Sequence, residues 1–541
     1  MVRWRTGPGG AHRQAHAAGA ARSVWAILPP MRPTTARRPL RSVAPALLAC
    51  LLVVGAVAPP PAKAIEVEYG AIRLQDSAAV RAVAAALPRT APLAPASAVD
   101  RTFVEEVLGG RDDFYKAGIL ADGYPGRWVG TRLVAHPIYG AYVLGTYLRR
   151  YADAPSDAMA ASMLAFANVA LARMEPFAGS LVFMNPPELR FLRSPGRRYS
   201  GLTMGYYALY LAAIARITGD AGMRSAAEAT FRSLLVPEPD GGVLYRLPEG
   251  RIAFAEIPGR PADLTLNGWL SILVSIHDYA QLTGDEEAAA VFRTSAGTLA
   301  KLLPLYDDRP RRLSRYALSG PLRVRLRVSD PAAVTLADPR AVIPGDASYP
   351  LSLGGASSWV NHVEPADAAR VGTGSPLRLA PRATRLRMSL VLSRISYPTP
   401  NVLRLTVTAT RRTTLSLDTW TGVYSPRASS PILPTWRSAS SVTVEPGVTT
   451  VRLAIPWTLA DGVGGITNWT RVMDGKPVNI YHPIHVRRLE EMYEMFAVSR
   501  FEKWARIWRA DLCAWGSMPA YAGLYTTGED GRLAAPRSLC P

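Results

Sequence analysis

From about residue 100 the apolar positions recur at helical spacing. Residues 137–150 and 157–173 predict a first helix pair. In the second of these, Met159, Met163, Phe166 and Ala170 share one face and Ser156 suits the N-cap. Residues 203–217 place Met204, Tyr207, Leu211, Ile214 and Ile217 on one stripe, stop at Thr218-Gly219-Asp220, and give way to a helix running to Leu235. The same punctuation returns where 266–282 ends at Thr283-Gly284-Asp285 and a further helix runs to Leu303. Gly supplies a left-handed residue after one helix, and Asp caps the next. A last pair covers 483–497 and 501–512. Four helix pairs predict a mixed but mainly α fold, an α/α toroid of hairpins whose loops, and so whose cleft, gather at one end. A plain helical bundle fits the same stripes.

Residues 321–470 change period. Leu322, Val324, Leu326 and Val328 alternate with Arg323, Arg325 and Arg327, and the alternation returns at Leu403/Leu405/Val407/Ala409, Leu415/Leu417, Val442/Val444 and Val451/Leu453/Ile455. Period two between Pro/Gly/Ser turns predicts an antiparallel β-sandwich inserted between the third and fourth helix pairs. The expected organisation is an upstream extension plus signal peptide at 1–64, a lead-in at 65–100, the first part of the helical domain at 101–320, the β insert at 321–470, and the last hairpin with a tail at 471–541. The insert has three roles open to it: holding substrate, making a homodimer contact, or supporting the helices.

Composition sharpens this picture in three ways. A chain of 541 residues exceeds one compact core, so several domains are expected. The net charge of +20 favours a polyanionic partner, and no basic run interleaved with aromatics forms a nucleic-acid module. An acidic polysaccharide is the expected partner, and nucleic acid is not. Arg32, Arg37, Arg38 and Arg41, then an apolar run at 43–57, then Ala62-Lys63-Ala64, read as an export signal. The expected location is therefore periplasmic or extracellular, with no stable membrane span once the signal is removed. Export leaves Cys513 and Cys540, which suit one disulfide, two free thiols being the plain alternative.

The candidate chemistry sits at predicted helix ends. Tyr481-His482-Pro483-Ile484-His485 puts a phenol at the positive end of a helix, where free N–H groups attract a carboxylate and favour a phenolate. His482 and His485 are three apart and lack a third partner at zinc spacing, so no metal is expected; a cap and a wall residue are the bland roles. Glu256 lies between apolar neighbours just ahead of a helix, where partial burial raises a carboxyl enough for proton exchange; a wet loop acid is the alternative. Asn267 suits either a donor to a sugar oxygen or a helix cap. Tyr306 closes a helix. Arg309, Arg311, Arg312 and Arg315 then precede Tyr316, as clamps for a uronate carboxylate or as a solvated loop.

Taken in order, these segments resemble the D-glucuronyl C5-epimerase family, chiefly its helical C-terminal catalytic domain. The resemblance runs from about His136 to Trp508, the β insert excepted. It is carried by His136-Pro137-Ile138, Gly201 with Gly205-Tyr206, Gly241-Gly242-Val243, Glu256, Pro258, Leu266-Asn267-Gly268, Leu303-Pro304-Leu305-Tyr306-Asp307 and Tyr481-His482-x-x-His485. It implies a catalytic Glu and two catalytic Tyr, falling on Glu256, Tyr316 (across a two-residue gap) and Tyr481. Asn267, Tyr306, His482, His485, Arg315 and Tyr206 are then expected to bind substrate. A substrate-lining Tyr of the family is Ile257 here, and an Arg is Ser319. The implied activity is inversion of glucuronate C5 within a polysaccharide without a cofactor, the two phenols working from opposite faces of the sugar ring. A polysaccharide lyase, or a non-catalytic exported glycan-binding or assembly protein, shares most of these features.

Overall fold

The computed structural model describes residues 93–109, 116–189, 198–259, 261–354, 361–421, 435–460, 463, 471–473, 476–478 and 481–518. The expected leader at 1–64 lies outside them. Among the described residues, no helix is long and apolar enough to cross a membrane. Cys513 is disulfide-bonded; Cys540 lies outside the described residues.

Helix α1 (Arg101–Gly109) leads into a three-stranded antiparallel meander at Ala117–Ile119, Pro125–Val129 and Arg132–Ala135. Then follow α2 (Pro137–Asp153) with α3 (Asp157–Leu171), α4 (Gly201–Thr218) with α5 (Ala221–Leu235), and α6 (Leu266–Thr283) with α7 (Glu286–Tyr306). Past the sheets come α8 (Tyr481–Phe496) and α9 (Ser499–Ala514).

The punctuation of the sequence is realised in atoms. Side chains of Ser156, Asp220 and Asp285 accept from the N–H groups of Met159, Met223 and Ala288, and Gly219 and Gly284 take left-handed φ values of 72° and 76°. Helices α4 and α6 are buried almost all round, as central helices must be, and α5 and α7 cover them with one apolar face each.

Two six-stranded sheets occupy the next stretch. One is built on Ser319–Val328, Arg385–Ser393, Thr413–Trp420 and Trp436–Val444, the other on Val334–Ile343, Asn401–Ala409 and Gly447–Ile455. Their inward residues, such as Leu322, Val324, Leu403, Leu405, Leu415 and Leu453, form one core separate from the helical one. Outward Arg325 and Arg327 share Asp418 across the strands.

The expectation of a mainly α toroid does not hold. The described residues are 45% helical and 30% strand, with several multi-stranded sheets, which is a mixed α/β fold. Helical stripes report local period, not how the pairs close on one another. The strand share also grows in short hairpins between helices, at Glu175–Phe177 with Ser180–Val182, Leu244–Arg246 with Ile252–Phe254, and Asp307–Asp308 with Leu313–Ser314. Segments of two or three residues are too short to show an alternation.

Candidate active site

Glu256 follows the hairpin strand Ile252–Phe254 and is fixed at both ends of its peptide. Its carbonyl accepts from Gly201 N, the first residue of α4, at 2.8 Å, and its N–H donates to Asp263 Oδ1 at 3.3 Å. Its side chain lies on the first turn of α6. A Cβ added at Gly268 would fall 2.9 Å from Glu256 Oε2 and 3.0 Å from its Cβ, so a larger residue there must push the Glu256 side chain aside.

The chain from Asp263 to Leu266 ties Glu256 to Tyr316. Leu266 N donates to the Tyr316 carbonyl at 2.8 Å, and Leu318 N and Ser319 N both donate to the Asp263 carbonyl at 3.1 and 3.2 Å. Leu264 sits in the left-handed region with φ 50°, strain of about 1–3 kcal/mol for a bulky residue. The hydroxyl of Tyr306 donates to the Leu264 carbonyl at 2.6 Å and holds that conformation from beneath.

Tyr481 is the first residue of α8 and packs edge-on against Tyr316, ring centres 4.7 Å apart, and the two side chains are hydrogen-bonded. Glu256, Tyr316 and Tyr481 are each half-buried among neighbours that are mostly fully buried. Burial first, then the charge of Asp263, pushes the Glu256 carboxyl up to about 8. Burial, followed by Tyr481, Glu256 and Asp263, holds the Tyr316 phenol well above its ordinary range. Asp263 is also raised by burial, yet it accepts hydrogen bonds from Thr265 and from backbone N–H groups.

The structure thus brings Glu256, Tyr316 and Tyr481 together, with Asn267 beside Gly268 at the start of α6. The Asn267 Oδ1 is buried and lacks a hydrogen-bond partner among the described residues. The contact between the phenols corrects one expectation. Rings 4.7 Å apart leave no room for a sugar between them, so the pair stands on one side of any substrate.

The other expected binding residues are occupied elsewhere. Tyr306 is wholly buried and supports Leu264. His482 Nδ1 accepts from Ser314 N at 2.9 Å and its Nε2 donates to the Trp508 carbonyl, burial taking its imidazole down to about 4. His485 Nδ1 lies 2.7 Å from Ser314 Oγ, and burial lowers it well below the ordinary range. Both rings brace the turn two residues ahead of Tyr316. Arg315 is buried 3.5 Å from Asp308, whose carboxylate also takes Arg311, and Arg309 is bound to Asp307 and Asp511. A buried guanidinium requires a carboxylate, and here the protein supplies it. Tyr206 is buried in α4 between Tyr142 and Tyr210.

Sequence reasoning missed Asp263 and Ser314. Asp263 precedes α6 in Ala262-Asp263-Leu264-Thr265, where an acid reads as a helix cap. The cue was Thr265, the better placed cap, whose hydroxyl turns to Asp263 instead.

With this geometry in view, the comparison with known proteins is specific. The family described as D-glucuronyl C5-epimerase C-terminus matches residues 192–325, a stretch that contains Glu256, Asp263, Asn267 and Tyr316 and stops short of Tyr481. The match supports the family resemblance over that stretch and points to epimerase-type function on a carbohydrate. No curated protein matches the chain.

Proposed function

We propose that this chain inverts C5 of D-glucuronate units in an acidic polysaccharide, giving L-iduronate units. The supporting observation is that Glu256, Tyr316 and Tyr481, remote in sequence, meet as one electrostatically coupled, half-buried group. H5 of a uronate lies next to the carboxylate, so its removal sends an electron pair into that group. Tyr481 is the base in this reading. It begins α8, where free N–H groups favour negative charge on its oxygen, and Tyr316 is its hydrogen-bonded neighbour. Glu256 holds a proton near neutrality, and in this reading it must return one to C5 from the face opposite Tyr481. Its value of about 8 suits an acid that must both give and regain a proton near pH 7. Asn267 and the N-terminal end of α6 offer donors to the charge that develops on the carboxylate.

The test uses an unsulfated glucuronate/N-acetylglucosamine polymer in D₂O, followed by NMR. Deuterium at C5 and new iduronate signals are expected, with Tyr481→Phe and Glu256→Gln each lowering exchange by about 100-fold or more. Ultraviolet-absorbing unsaturated uronate with falling chain length would assign β-elimination instead. Retention of the polymer with neither product would assign binding alone.

A further inference from the structure

We propose that Asp263 is a positioning residue that keeps Glu256 loaded with its proton, so that the two carboxyls divide their roles, one holding charge and the other delivering hydrogen. This rests on the epimerase reading for its consequence, but its physical content is separate. Asp263 is placed by the fold to touch both halves of the site. Its carboxylate accepts the Glu256 N–H, and its carbonyl accepts Leu318 N and Ser319 N beyond Tyr316.

The two acids have unlike surroundings. Asp263 accepts from Thr265 and from the backbone N–H groups of Glu256, Leu264 and Thr265, partners that suit the charged form. Among the described residues no such donor acts on Glu256, which is crowded by α6 at Gly268 and feels the negative charge of Asp263. The other titratable groups in this cluster, among the described residues, are Tyr316, from the turn after α7, and Tyr481, from α8, and neither brings a positive charge. Arg198, which enters the same loop, donates to the Pro258 carbonyl. Two neighbouring carboxyls cannot both ionise freely, and the one with donors takes the charge. Glu256 therefore waits protonated. When Tyr481 takes H5, the Glu256 O–H bond breaks, the proton joins C5, and Glu256 is left as a carboxylate. Solvent takes the proton from the Tyr481 hydroxyl, restoring the base, and returns one to Glu256, so no other reactant is needed.

Asp263→Asn removes the charge and keeps an acceptor for the Glu256 N–H. The carboxyl of Glu256 is followed by infrared difference titration, its band assigned by loss in Glu256→Gln. The expected midpoint is about 8 in the native chain. It should fall by about one unit or more in Asp263→Asn, and the alkaline limb of C5 deuterium exchange should move by the same amount. Asp263→Glu, which keeps the charge, should leave the midpoint high. An unmoved midpoint in folded Asp263→Asn overturns the proposal, as does an ordinary carboxylate midpoint in the native chain. If Asp263→Asn does not fold, Asp263→Ser gives the same comparison. Absence of C5 exchange in every protein would end the epimerase reading and leave the infrared result to decide the role of Asp263.

Discussion

Glu256 carries a thermodynamic signature as well as a chemical one. Its folded value of about 8 lies above the ordinary 4.5, so between those values the native state binds a proton that the unfolded chain has lost. Stability then falls as pH rises through that window and levels off above it. Glu256→Gln mimics the protonated form at every pH. The variant should match the native chain at about pH 4 and exceed it by roughly 2–4 kcal/mol at about pH 8.5, measured by denaturant unfolding. An equal difference at both values would show that ordinary packing is responsible. Of the residues in this site, Glu256, Tyr316 and Tyr481 were legible in sequence through the order of their motifs. Asp263 was not, because a lone acid in a loop is usually wet, and only its hydrogen bonds and the buried turn around it make it otherwise. The arginines before Tyr316 misled for the converse reason. Nothing in a run of basic residues reveals that Asp308 and Asp511 already answer Arg309, Arg311 and Arg315.

At the scale of elements, helix ends do most of the positioning. The start of α4 holds the Glu256 carbonyl, the first turn of α6 holds its side chain, and α8 opens with Tyr481. Gly268→Ala tests the closest of these contacts. Alanine gains about 1 kcal/mol of helix propensity over glycine, which offsets the crowding, so the melting temperature should change little. The new methyl displaces the Glu256 carboxyl, and C5 exchange should fall by about tenfold or more, since misplacement of this size is costly. A large loss of melting temperature with unaltered exchange in the folded fraction would reverse that assignment. Helices and long strands were readable because stripes and alternations report local period, and Thr-Gly-Asp marked two of the turns outright. The closure of the helix pairs was not readable, since it depends on contacts between faces that every stripe presents alike.

At the scale of the molecule, side chains bridge the helical core and the sheets. The hairpin that leads into Glu256 also reaches the sheets, where Tyr245 Oη donates to Asp346 Oδ1 at 2.6 Å. Tyr349 donates to the other oxygen of that carboxylate at 3.0 Å, so Asp346 keeps a partner if Tyr245 is lost. Tyr245→Phe should cost about 1–2 kcal/mol and lower the melting temperature by a few degrees. A slower C5 exchange should accompany it, because the same hairpin carries Glu256. Unchanged stability would mean that this bridge contributes nothing between the two cores.

Tyr316 stands three positions before the strand Ser319–Val328, the middle of a six-stranded sheet, and Arg394 N clasps the intervening Leu318 carbonyl. Such a short tether makes the whole slab a handle on one phenol. Any load that tilts the slab is felt as a displacement of the Tyr316 ring against Tyr481. For the same reason the slab is no interchangeable appendage, and a lineage that swapped it would have to reseat the ring.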